Sequence, residues 1–316
     1  MNITITGNLG SGKTSVCREL EKAGFSIISA GDIFRQIAAE KRMTVIQLNE
    51  AAKKDRSIDD LLDSRSTELG KKMDHTVFDS RLAWHFVEKS FKVFLLADVR
   101  EAARRVYDGD SRNAEQYGDM EQALEGLAER ARLEQARFLE LYGIDYYDSG
   151  NYDLIIESSC AAPEQIAQEI IRNFEQFHQR PFPAKTELNL KCMYPAGPFG
   201  KEEKSKSEAA GRCLNEEKGS QGLCMEKPVS ITVKNGYNYL GKDAYEVSAA
   251  IAAGRVFAEI GHMGMQEASR AGDAVMTEDD ICNFEQAGGF RYQENPLRVP
   301  VKPGYNLDFS RIFHQE

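Results

Sequence analysis

The chain has 316 residues, 41% of them hydrophobic and 28% charged, and a formal net charge of -10. That length exceeds the usual reach of one hydrophobic core and predicts two domains, while the composition excludes wholesale disorder. The acidic balance argues against broad binding to nucleic acid or anionic membrane and favours small anionic ligands in a local basic cleft.

No apolar run approaches the roughly 20 residues of a bilayer span, and MNITITGNLG lacks the basic start and apolar stretch of a signal peptide. A cytoplasmic protein without membrane contact is the expectation. The six cysteines, Cys17, Cys160, Cys192, Cys213, Cys224 and Cys282, lie far apart without a CxxC pair, which predicts reduced thiols.

In chain order, MNITIT predicts a first strand and SVCREL the start of a helix. Between them GNLGSGKT meets the pattern GxxxxGK[ST] in its required setting, strand before and helix after. Glycines there let successive backbone N–H groups face one phosphate, and the helix start adds its positive dipole end. Gly7, Gly10, Ser11, Gly12, Lys13, Thr14 and Ser15 are the expected nucleotide-binding residues, with Lys13 on the terminal phosphates and the Thr14 hydroxyl on Mg2+.

FSIISA at 25–30 predicts the second strand, followed by SAGDIFR, which places Ser29, Asp32 and Arg35 at the carboxyl end of the sheet. TVFDSR at 76–81 predicts the third; Asp79 could hold a magnesium-bound water, and Arg81 emerges beside it. KVFLLAD at 92–98 predicts the fourth. The charged stretch at roughly 105–130 interrupts the sheet pattern and is expected to form a lid, with Arg104, Arg105 and Arg112 as candidate lid arginines that a charged helix surface explains equally well. In LAERARLEQARF, Arg130, Glu134 and Arg137 share one helical face; the same spacing also serves a solvated helix laced with salt bridges.

YDLIIESS at 152–159 predicts a fifth strand, and PEQIAQEIIRNFEQF a helix on Ile166, Ile170, Phe174 and their neighbours. The resulting fold is α/β: a P-loop kinase-type parallel five-stranded sheet with helices on both faces over 1–180. Residues 181–227 read as linker or mobile loop, and 228–316 as a smaller α+β domain. Within the latter, SITVKNGYNYLG predicts a hairpin around Asn235-Gly236, AYEVSAAIAAGRVFAEIGHM a helix, and RVPVKPGYNLDF further strand. His262, Met263 and Met265 in GHMGM suit packing better than a metal site.

GNLGSGKT, ISAGDIFR, DSRLAWHF, the R-x3-E-x2-R spacing and YGIDYYDSGNYDLIIESS together resemble the cytidylate kinases, especially their shorter archaeal-type branch, over about residues 1–175. The resemblance implies ATP as donor with Mg2+, and CMP or dCMP as acceptor. It implies acceptor contacts from Ser29, Asp32 and Arg35, base-edge contacts from Arg81 and Glu134, and phosphate contacts from Arg35, Arg130 and Arg137. Lys13, Arg81, Arg130 and Arg137 are the expected catalytic residues. Ser80 stands where many relatives carry glycine. A second, partial resemblance, of GYNYLGKDAYEVSAAIAAGRVFAEI to ParB-like nucleotide-binding domains, has Lys242 and Asp243 where an arginine is expected.

Two other functions fit the same cradle. One is a kinase of a nucleoside or small metabolite, which would need a carboxylate such as Asp32 or Asp79 to deprotonate a hydroxyl. The other is an ATP-sensing regulator whose C-terminal domain engages a protein partner.

Overall fold

The computed structural model describes residues 1–52, 54–109, 117–159, 161–190, 193–195, 229–234, 237–240, 250 and 255–262. They belong to two compact units, Met1–Leu96 with Leu133–Ile155 and Ala162–Ala184, and Ala97–Arg132 with Ile156–Ala161 and Lys185–Glu316. The elements are β1 (Asn2–Gly7), α1 (Lys13–Lys22), β2 (Ser26–Ser29), α2 (Ala30–Glu40), α3 (Val45–Ala52), α4 (Ser57–Lys72), β3 (Thr76–Asp79), α5 (Ala83–Phe86) and β4 (Ser90–Leu96). Next come α6 (Val99–Asp108), α7 (Met120–Tyr142), β5 (Leu154–Glu157), α8 (Pro163–Gln179), β6 (Lys185–Asn189), β7 (Met193–Pro195), β8 (Val229–Lys234), β9 (Tyr237–Leu240) and β10 (Phe257–His262).

In the first unit β1 pairs in parallel with β3, Ile3 opposite Val77, and with β4, Ile3 opposite Phe91. β2 pairs in parallel with β3, and the order is β2-β3-β1-β4-β5. Strands covered on both faces read as nearly continuous apolar runs, and all six residues of β1 are buried. Buried polar side chains must then find partners. Asn2 does so by donating to the carbonyls of Gly70 (3.1 Å) and Met73 (3.0 Å) and accepting from the Thr76 N–H (3.2 Å), which fastens the end of α4 to the start of β1 and β3.

On one face α1 buries Val16, Cys17 and Leu20 and packs with α8, which buries Ile166, Ile170 and Phe174. Between β2 and β3 the chain makes a helical excursion, α2 to α4, with a core of its own in Ile33, Ile37, Ala38, Leu48 and Ile58. Ile37 and Leu48 are fully buried, worth about 1.5–3 kcal/mol each against exposure.

All five expected strands form, but the described residues hold ten strands, so the expected five-stranded sheet falls short. Apart from β8 and β9, the strands of the expected hairpin, the excess arises in stretches read as something else. β6 and β7 lie where a linker was expected, and β10 occupies the end of the expected Ala-rich helix. Pairing decides β10: it runs antiparallel to β6, Ala258 opposite Leu188, and parallel to β8, Ile260 opposite Val229. Such context outweighs the helix propensity of an alanine-rich run. β8 and β9 pair antiparallel with Lys234 opposite Tyr237, the register of a two-residue hairpin at 235–236. The expected tail strand, Lys242, Asp243, Met263, Met265 and every cysteine but Cys17 lie outside the described residues.

Replacing Asn2 by Ala removes two part-buried bonds to the Gly70 and Met73 carbonyls and strands the buried Thr76 N–H, which costs about 1–3 kcal/mol when left unsatisfied. The urea midpoint, read from the fluorescence of Trp84, the single tryptophan, should fall with the slope unchanged. An unmoved midpoint would show that these bonds do not hold α4.

Candidate active site

The carboxyl ends of three neighbouring strands converge. β1 ends on Gly7 at the cradle, Ser29 ends β2 opposite Asp79, and Asp79 ends β3 opposite Ile5. Gly7 is required by close approach: a Cβ there would meet the Leu95 carbonyl oxygen at 2.4 Å and Ser11 Oγ at 2.7 Å. Gly10 (φ 74°) and Gly12 (φ 85°) take the left-handed backbone that other residues avoid. Gly12 is also the N-cap of α1 and brings no capping side chain, so the first N–H groups of α1, at Lys13 and Thr14, face outward for an anion. Ser15 donates its N–H to the Gly12 carbonyl (3.0 Å), and the Thr14 and Ser15 side chains are exposed.

Burial pulls the Lys13 ammonium down to about 8, and Arg81 pushes it the same way against the attraction of Asp79, Cys17 and Glu134. One helical turn on, burial raises the Cys17 thiol to about 12, which makes it a packing group rather than a nucleophile.

Arg81 is the centre of the arrangement. Its Nη1 donates to the Gly7 carbonyl (2.8 Å) and its Nε to Glu134 (3.0 Å), with only 18% of its side chain exposed. Its backbone is fixed too: the Thr6 hydroxyl donates to the carbonyls of Ser80 (3.0 Å) and Arg81 (3.3 Å), and Trp84 Nε1 to that of Arg81 (3.1 Å). Burial opposes the Arg81 charge, and Glu134, with the rings of Tyr146 and Tyr147, more than restores it, leaving its pKa above the ordinary range. The motif YGIDYYDSGNYD supplies those rings, 4.2 Å apart, and locks itself by the Tyr152 hydroxyl donating to the Tyr146 carbonyl (2.6 Å).

Ser29, Asp32 and Arg35 form a second group at the start of α2. Ser29 caps the helix through the Asp32 N–H (3.0 Å), and Asp32 accepts from the Ser29 N–H (3.0 Å) and hydroxyl (2.6 Å) and from Arg35 (2.6 Å). The Ser29 hydroxyl above all holds the Asp32 carboxyl below its usual range.

Arg137, on α7, donates to both carboxylate oxygens of Asp59 on α4 (3.0 Å each), beside Arg56 on the Leu141 carbonyl (3.0 Å) and Tyr142 on Asp63 (2.8 Å). Arg130 lies one turn before Glu134, half-buried. Glu134 and Arg137 are therefore held by Arg81 and Asp59, and an exposed pair such as Arg35 with Asp32 contributes only about 0–1 kcal/mol. The sequence reading missed Asp59, because a partner 78 residues away leaves no local signal.

Among the described residues no three His, Cys, Asp or Glu side chains gather as a metal site. Thr14 and Asp79, the expected Mg2+ ligands, stand in the first turn of α1 and at the end of β3. Of the expected lid, Arg104 pairs with Glu101 (2.8 Å) and Asp108 (3.1 Å) along α6, while Arg105 donates to Glu101 (2.8 Å) and to the carbonyls of Ser158 and Ser159 (2.7 and 3.1 Å). Residues 110–116, with Arg112, lie outside the described residues. No described helix is long and apolar enough to cross a membrane.

The model of the cytidylate kinase-like family matches residues 2–160. The chain is 33% identical over 186 residues to a cytidylate kinase of Methanoregula boonei, spanning 58% of this chain and 100% of that protein. It is 37% identical over 160 residues to a cytidylate kinase of Methanocella arvoryzae (50% and 88%) and 38% over 167 residues to one of Pyrococcus abyssi (52% and 88%). Among solved structures it is similar to an uncharacterized protein from Eubacterium ventriosum (TM-score 0.42, 18% identity, 55% and 98% covered). A shikimate kinase from Acinetobacter baumannii follows at TM-score 0.36 and 20% identity, with 55% and 93% covered.

Two variants test the geometry. Gly7→Ala should weaken binding of a nucleoside triphosphate by at least about tenfold, read by calorimetry, because the added methyl forces the cradle to shift; unchanged affinity would show that the close approach is dispensable. Asp63, raised to about 6 chiefly by burial, contributes stability below about pH 4 that is lost as pH rises through 6. Asp63→Asn should therefore raise the melting temperature at pH 8 and leave it unchanged at pH 4, and an equal shift at both would refute the buried-carboxyl reading.

Proposed function

We propose, for a chain that belongs to the cytidylate kinase-like family, the transfer of the terminal phosphoryl group of ATP to a nucleoside monophosphate, with CMP or dCMP as preferred acceptor. The observation that carries this reading is the shared carboxyl edge, where the cradle, the Ser29 turn and Asp79 leave three adjacent parallel strands. A donor and an acceptor held there would lie end to end.

Magnesium bound with ATP would offset charge on the phosphate oxygens, with Thr14 and, through water, Asp79 as its protein ligands. Backbone N–H groups of the cradle bind the donor phosphates, and Lys13 neutralises the terminal one; a phosphate beside it favours the ammonium that burial disfavours. On the acceptor side Arg35, Arg130 and Arg137 receive the monophosphate, Ser29 lines the turn, and Glu134 meets the base edge. Arg35 and Arg137 release Asp32 and Asp59 to do so.

Phosphoryl transfer needs little covalent help from protein groups, and an acceptor that is already a phosphate needs no general base. Asp32 supports this choice over a hydroxyl acceptor: its depressed pKa and three hydrogen bonds suit a helix cap and leave it a poor base.

ADP formation from ATP and Mg2+ should accelerate at least about tenfold with CMP or dCMP, less with UMP, AMP or GMP, and fall about 100-fold or more in Lys13→Ala. Equal slow turnover with every acceptor and with none would overturn the reading.

A further inference from the structure

We propose that Arg81 is a positioning residue that couples the acceptor side of the site to the phosphate cradle, one guanidinium edge holding the Gly7 carbonyl and the other the Glu134 carboxylate. The inference rests on the function just stated, in which the acceptor engages Glu134.

Three observations carry it. First, Arg81 is too enclosed to serve as a free reader of a base: 18% of its side chain is exposed, and Tyr146 and Tyr147 crowd it. Second, the Gly7 carbonyl is the oxygen at the entrance to the cradle, and a carbonyl dipole turned toward bound phosphate would repel it. The 2.8 Å bond from Nη1 directs that oxygen to the guanidinium instead. Third, the backbone of Arg81 is fastened to β1 through Thr6 and to α5 through Trp84, so its side chain has little freedom except to follow its two partners. When an acceptor draws on Glu134, the Nε bond must change, and the Nη1 bond on the same rigid plane changes with it.

The test uses the full chain and a non-hydrolysable ATP analogue with Mg2+, titrated by calorimetry with and without saturating CMP. In the wild type CMP should change analogue affinity by at least about fivefold. Arg81→Lys keeps the charge and loses the fork, and Glu134→Gln keeps the shape and loses the charge; in both, that ratio should fall below about twofold. A merely structural Arg81 would weaken binding of the analogue with and without CMP alike and leave the ratio at its wild-type value.

A coupling ratio that survives in Arg81→Lys and Glu134→Gln, or a wild type that binds both nucleotides independently while still transferring phosphate, overturns the inference and leaves the function standing. A wild type that binds the analogue but no nucleoside monophosphate overturns both.

Discussion

A strand buried on both faces has to hand the chain to a helix through a corner whose tightest positions admit no side chain. Gly7 has no room for a methyl group, Gly10 and Gly12 take backbone angles that other residues resist, and α1 begins with no capping side chain. In most proteins an uncapped helix start is a modest liability of about 0.5–2 kcal/mol. Here the unfilled N–H groups are what an anion can use, and burial of Lys13 beside them places a cation whose proton is itself held loosely. The neighbouring strands follow from this corner: β3 delivers Asp79 and Arg81 to it, and β2 delivers Ser29.

The arginines around the corner differ in freedom, and enclosure ranks them. Arg35 and Arg137 hold carboxylates with more than half of their own side chains exposed, pairs that solvent makes cheap to exchange. Arg81 is enclosed, and breaking one partner of such a pair costs about 3–5 kcal/mol where the remaining charge is fully buried. Exposure thus leaves Arg35 and Arg137 at the surface of the site, while enclosure keeps Arg81 inside it.

Much of this was legible in the chain. The first five strands announce themselves as short β-rich runs such as NITIT and FKVFLL, and the cradle because its glycines and lysine sit at fixed offsets between strand and helix. The Arg130, Glu134 and Arg137 spacing put the right side chains on one helix. What stayed hidden is non-local. Asp59 meets Arg137 and Arg81 meets the Gly7 carbonyl across more than 70 residues, and no local periodicity records such meetings. The α2–α4 excursion escaped notice because its apolar positions are diluted by charge, and β10 because its strand pairing overrides the propensity of its alanines.

The α2–α4 excursion has its own packed core of Ile33, Ile37, Ala38, Leu48 and Ile58, while the cradle draws on the sheet and α1. The excursion's core meets the sheet through Ile28 of β2 but shares no buried residue with α1, so most changes accumulating in it fall away from the cradle. Inheritance can therefore act on this fold in parts: a lineage can remodel the excursion, by insertion, loss or exchange of a helix, while the corner between β1 and α1 passes down unaltered.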